Sequence, residues 1–303
     1  MELLNLMGMM FLMMMAGYLL RRFELVSAEG KKSLTNLILY VVLPCNIVRA
    51  FCMETGEGFW QKMSAALIVA VLVQVLSMLI ARFAYQRMPR EEKQVLQYAT
   101  VCSNAGFMGN PLAEGIFGDI GLLYASVFLI PLRIVMWTAG VSYFTNDSDY
   151  RSVIRKVLVH PCMIAVYIGM TLMLTGLRFP TVIDQTVRSF GGCCTGLTML
   201  YIGMILVGID WKTLCSLSQI YFAVIRLLLI PVIVLLGCLA AGVDGTITGV
   251  SVLLSAMPAG STTSILASKY GADEGAAAKC VVFTTLLSVI AIPVWSTFLL
   301  WLT

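Results

Sequence analysis

The sequence predicts an all-α membrane protein with ten transmembrane helices arranged as an inverted repeat of five plus five. Three observations lead there. The first is composition: of 303 residues, 59% are hydrophobic and 12% charged, about half the charged share of a soluble domain. The second is run length, because the apolar residues fall in stretches of roughly 20, enough to cross a bilayer as a helix. The third is a matched pair of interruptions. NAGFMGNPLAEGIFGDIG at 104–121 and SAMPAGSTTS at 255–264 break two apolar runs near their centres with glycine, proline, amides and hydroxyls.

Taken in order, the apolar runs predict spans at 3–20, 34–52, 61–82, 94–117, 121–144, 157–177, 187–208, 217–241, 247–269 and 275–302. The first reads as a membrane helix with its start outside, not as a cleaved leader. Glu2 precedes it and Arg21-Arg22 follow it, the reverse of a secretory signal. The connections are too short for a soluble domain. The longest polar one, TNDSDYRSVIRK at 145–156, divides the chain into halves at 1–150 and 151–303. Loops after the odd-numbered spans hold thirteen lysines and arginines, whereas the opposite loops hold four: Arg49, Lys62, Arg178 and Arg188. The positive-inside rule then puts the first set in the cytoplasm and both termini on the outer side of the cell (inner) membrane.

The halves match in layout. Spans 2 and 7 begin about 153 positions apart, as do Gly118 in FGDIG and Gly271 in YGADEG. Five spans per half is an odd number, so the second half enters the membrane from the opposite side. That is the plan of many secondary transporters.

The interruptions carry the functional reading. Backbone freed from helical bonding in hydrocarbon costs several kcal/mol per unsatisfied group, so it is expected only where protein or a water-lined cavity supplies partners. Recurrence at matching places favours a binding role over two tolerated proline kinks. A half-helix that starts at a break points N–H groups and partial positive charge into the cavity. Asn104, Asn110, Ser261, Thr262, Thr263 and Ser264 add neutral donors, while Gly109, Pro111, Pro258 and Gly260 shape the breaks. The expected ligand is an anion, held loosely enough for release.

Two arginines lie within spans, where a cation is a functional candidate. Arg133 in LIPLRIVMW is deep enough to join the candidate site; Arg226 in AVIRLLLIP reads more readily as snorkelling to an interface. Spans 3, 5, 8 and 10 have no central Asp or Glu, and Glu114 and Asp119 fall near the outer end of span 4, which argues against cation exchange. The nine cysteines show no metal-ligand spacing, and the single histidine, His160, precedes Pro161 at a helix start. No catalytic residue, metal or cofactor is expected, and a membrane enzyme is disfavoured.

NAGFMGNPLAEGIFGDIGLLYASVF at 104–128 resembles the fourth-helix signature of the auxin efflux carrier family, in its bacterial permease branch. LILYVVLPCNIVRAF at 37–51 and MPAGSTTSILASKYGADEGAAAK at 257–279 resemble that family's second and ninth helices. The resemblance implies a scaffold of helices 1, 2, 6 and 7 and a transport domain of helices 3, 4, 5, 8, 9 and 10, with broken helices 4 and 9 crossing at the site. It places Asn104, Gly109 and Pro111 in the first crossover, Pro258 in the second, and Pro44 with Asn46 facing them from helix 2. The long central loop of the plant members is missing. The expected function is a secondary transporter for small organic anions, carboxylates such as dicarboxylates or auxin-like acids, working by alternating access. The alternatives are a sodium-coupled organic-anion symporter of the bile-acid type and a receptor using the same pocket. The expected partners are the organic anion and the lipid bilayer, with no nucleic acid. Coupling to a proton, to a sodium ion or to neither is left open, as is a homodimer.

Overall fold

Three of the helix prolines follow a widened turn, and this pattern sets the local geometry around them. The computed structural model describes residues 2–52, 58–137, 142–144, 158–207, 214–260, 262–270 and 272–302. The 145–156 connection, Ser261 and Gly271 therefore lie outside the described residues. Within them the chain is helical, with no strand. Among the described residues, five helices are long and apolar enough to span a membrane: Glu29–Phe51, Phe59–Ala84, Ala105–Met136, Leu217–Ala240 and Gly275–Leu302. Pro161–Thr175 and Gly245–Ser255 are shorter apolar helices.

In chain order, α1 is Glu2–Arg22, and α2 (Ala28–Leu37) runs through a π-helical turn, Ile38–Val42, into α3 (Leu43–Phe51). Next come α4 (Phe59–Ala84), α5 (Arg90–Val101), a second π turn at Ala105–Gly109, and α6 (Asn110–Trp137). The rest are α7 (Pro161–Thr175), α8 (Thr181–Gly192), α9 (Cys194–Ile205), α10 (Leu217–Val224), a third π turn at Ile225–Leu229, α11 (Ile230–Ala240), α12 (Gly245–Ser255), α13 (Thr262–Tyr270) and α14 (Glu274–Leu302). Pro44, Pro111 and Pro231 each follow one of the three π turns within two residues. Proline has no N–H, and its ring collides with the carbonyl four residues back. A turn bonded one residue further on absorbs both defects without ending the helix.

Gly118, inside α6, has φ 66° and ψ −157°, a conformation open essentially to glycine alone. It separates 110–117 from 119–137, where the apolar pattern predicts the junction of spans 4 and 5. Helix α1 packs along α9, and α3 packs against α7 and α8. The remaining helices pack mainly among themselves, α4 and α12 against α6, α11 against α12, and α14 against α5 and α10. The α1–α9 contact is made backbone to backbone. A Cβ added at Gly17 would lie 2.0 Å from the Leu200 carbonyl oxygen, and one at Gly203 would lie 1.9 Å from that of Met14.

Asp244 starts α12. Its Oδ1 accepts the Thr246 and Ile247 N–H groups at 3.0 and 3.4 Å, and its Oδ2 pairs with Lys62 Nζ at 2.8 Å. The hydrogen bond from Lys62 holds the carboxyl below its ordinary value; the helix amides add to this and burial opposes it. Its folded value lies below the unfolded one, so the stabilisation is complete above the unfolded value and disappears as pH falls through the folded value. Asp244→Ala is expected to cost about 1 kcal/mol. The check is thermal unfolding in detergent at neutral and acid pH, where the gap between parent and variant narrows on acidification.

Candidate functional site

Helix α5 ends at Val101 and α12 at Ser255, and the two segments that follow them meet. Ser103 and Ala259 form an antiparallel bridge. The Gly260 N–H donates to the Cys102 carbonyl at 3.0 Å, and the Asn104 N–H donates to the Pro258 carbonyl at 2.8 Å. Each break thus supplies hydrogen-bond partners for the other, as backbone in an apolar interior requires. Thr284 Oγ1 accepts the Ala259 N–H at 3.1 Å. Pro258 suits its place because it has no N–H to leave unpaired. A Cβ on Gly260 would stand 3.0 Å from the Cys102 carbonyl oxygen and 3.2 Å from that of Ser103, so the two strands of backbone approach as closely as they do only with glycine there.

The carbonyl ends of both broken helices are met by side-chain donors. Arg226 Nε donates to the Met257 carbonyl at 2.9 Å and its Nη1 to the Thr100 carbonyl at 3.2 Å. Gln74 Nε2 donates to the Val101 carbonyl at 3.0 Å. Thr100 Oγ1 and the Tyr85 hydroxyl are 2.8 Å apart. Arg226 is only 3% exposed. This corrects the expectation of snorkelling: the guanidinium lies inside the protein, where the third π turn sets it against the negative ends of two helix dipoles.

The opposite ends carry unsatisfied side chains. Asn104, Ser103, Asn110 and Thr263 are all buried. Ser103 Oγ, Thr263 Oγ1 and both amide atoms of Asn110 have no hydrogen-bond partner. The Thr263 N–H donates to the Gly260 carbonyl at 3.0 Å, and Thr262 Oγ1 accepts the Tyr98 hydroxyl at 3.3 Å. A Cβ on Gly109 would stand 3.2 Å from Leu254 Cγ and 3.4 Å from Met257 Cγ, which ties the second π turn to the end of α12. Pro111 is the second residue of α6, just past that turn. The paired breaks therefore gather Asn104, Gly109, Asn110, Pro111, Pro258, Gly260, Thr262 and Thr263.

Two candidates have their recorded contacts elsewhere. Asn46, fully buried on α3, donates through Nδ2 to Glu114 Oε2 at 3.1 Å and to the Gly191 carbonyl at 3.3 Å, leaving its Oδ1 unpartnered. Glu114 also takes an ion pair from Arg49, which reaches Asp119 Oδ1 at 3.5 Å. Glu114 is one helical turn beyond Asn110, on the same face of α6, so this charged cluster borders the breaks without joining them. Arg133 is buried, and its Nη1 has no hydrogen-bond partner. It lies beside His160, whose Nδ1 accepts the Cys162 N–H at 3.3 Å to cap α7.

Met10, Met14, Met108, Leu112, Met199 and Ser288 line a cleft of about 320 Å³ between α1, α9, the second π turn with α6, and α14. Its Met108 and Leu112 flank Asn110 in sequence. Sequence reading missed Gln74, Thr100, Tyr85 and Thr284 because isolated polar residues in apolar runs carry no periodic signal. Arg226 was visible as an intramembrane arginine beside Pro231, but its partners were not.

Long apolar helices, with two of their runs broken at one place among buried polar side chains, define a multi-pass membrane transport protein. The profile of the membrane transport protein family matches residues 4–151 and 148–296, and the chain belongs to that family, the auxin efflux carriers. An uncharacterized transporter of Methanothermobacter thermautotrophicus is 24% identical over 298 residues, 94% of each chain. One of Methanocaldococcus jannaschii is 21% identical, with 95% of this chain and 96% of the relative covered. The uncharacterized transporter YfdV of Escherichia coli K12 is 20% identical over 93% of both.

Proposed function

We propose that the protein is a secondary carrier of small organic anions, with the carboxylate of its cargo seated at the paired breaks. The observation that carries this reading is the asymmetry of the site. The carbonyl ends of α5 and α12 are occupied by Arg226, Gln74 and backbone N–H groups. The segments leading away start with buried amide and hydroxyl groups that have no partner. What is left over is donor-rich and positively polarised. A carboxylate would be held there by neutral dipoles. Binding without a direct ion pair is weak enough to reverse, as a carrier needs.

On this reading the helices form ten spans in an inverted repeat, with both termini outside the cell membrane. Helices α1 to α3 and α7 to α9 act as scaffold, and the remainder carry the breaks between inward and outward exposure. The packing of α1 on α9 and of α3 on α7 and α8 supports that division. The test is counterflow of labelled mono- and dicarboxylates into proteoliposomes of purified protein. Saturable exchange of at least one acid is expected. Stabilisation by an acid without any flux would make the protein a receptor and overturn the carrier reading.

A further inference from the structure

We propose that Arg226 is a tethered cation that fills the place a dissolved coupling ion would need, so that anion binding at the paired breaks proceeds without sodium. This rests on the carrier reading above and deepens it by assigning the coupling. When two helices are broken at one place within a membrane protein, their C-terminal carbonyls present partial negative charge, and such ends are where carriers of this architecture bind a cation. Here the two carbonyl ends are bridged by one guanidinium, Nε on Met257 and Nη1 on Thr100, at 2.9 and 3.2 Å. Arg226 forms none of the salt bridges recorded among the described residues, although an unpaired buried charge is costly. The two helix ends supply the compensation.

Geometry favours this role over simple capping. A serine hydroxyl donates to one carbonyl only, and a lysine ammonium or a water molecule can donate to two without fixing their spacing; the planar fork of arginine spans two at fixed spacing. The third π turn, Ile225–Leu229, holds the residue, and Pro231 follows it at the head of α11. A guanidinium also keeps its proton across the physiological range. The positive charge is therefore present in every step of the cycle, whereas a dissolved ion provides it only while bound. The anion then meets the same field whether or not sodium is in the medium.

The experiment compares the parent, Arg226→Ala and Arg226→Lys in sodium, potassium or choline chloride at constant ionic strength. Thermal unfolding is read first, then carboxylate exchange. The parent is expected to unfold at the same temperature and to exchange at the same rate in all three salts. Arg226→Ala should be less stable in choline and should regain stability with sodium or with millimolar guanidinium, which re-supply the missing charge. Arg226→Lys should stay indifferent to the salt. Sodium-dependent unfolding or exchange in the parent would overturn the proposal. So would an Arg226→Ala protein that folds and ignores every cation, because that is the behaviour of a plain cap. If Arg226→Ala does not fold, Arg226→Gln, which keeps hydrogen-bond donors and loses the charge, takes its place with the same two outcomes. Absence of exchange for every acid would count against the carrier reading only, since the unfolding measurement needs no cargo.

Discussion

Asn110→Ala is expected to weaken carboxylate binding and exchange by about one to two orders of magnitude while leaving the protein as stable as the parent, or more so. Asn110 is fully buried at the head of α6, and neither its Nδ2 nor its Oδ1 has a hydrogen-bond partner. A buried polar group left unpaired costs about 1–3 kcal/mol. Alanine removes that cost and leaves a small void, which works in the opposite direction. A hydrogen bond to a charged group contributes about 1.5–3 kcal/mol, so losing it at the cargo carboxylate weakens binding by roughly 10- to 150-fold. Activity and stability are thus expected to part company. Had Asn110 only a structural role, the variant would unfold earlier and its exchange would fall in proportion to the folded fraction. Paired measurements of melting temperature and exchange rate on one preparation separate the two outcomes. Asn104→Ala makes a weaker test, because the Asn104 backbone is itself bonded into the break.

Gly203→Ala is expected to cost about 3 kcal/mol or more, and Gly203→Val to yield no folded protein. A Cβ at this position would sit 1.9 Å from the Met14 carbonyl oxygen. Backbone on a neighbouring helix cannot rotate aside as a side chain can, so α1 and α9 must separate by more than an ångström. In a membrane the attraction between helices comes largely from close packing, since lipid is as apolar as leucine. Separation therefore removes much of what holds α1 in place. Gly17→Ala meets the Leu200 carbonyl at 2.0 Å in the same contact. The double variant should cost less than the sum of the singles, because one displacement relieves both clashes. Gly237→Ala is the control: a Cβ there meets nothing within 4 Å. Size-exclusion profiles and thermal unfolding in detergent give the readout.

Much of the site was legible because its signals are local. Pro111 and Pro258 remove backbone donors wherever they stand, and Gly109 and Gly260 permit close approach in any fold. Their place in the middle of apolar runs marked both breaks. Gly118 was equally readable as the corner between two spans. Arg226 was not, because its depth in the run is compatible with an extended side chain reaching water. Only its two carbonyl partners show that it turns inward. Asn46 was placed facing the crossover by resemblance; its amide bonds to Glu114 and Gly191, and no pattern in the chain announces the proximity of those residues.

The sequence by itself determined an all-helical, apolar protein with two interrupted helices and neutral donors at the interruptions. Hydrophobic run length and the hydrogen-bonding capacity of individual residues are sufficient for that. The tertiary structure alone decided that residues 102–104 pair with 258–260, that one arginine serves both helix ends, and that α1 and α9 touch through glycine. These depend on which donor meets which acceptor once water is gone, between residues that lie far apart in the chain and have no local means of specifying one another.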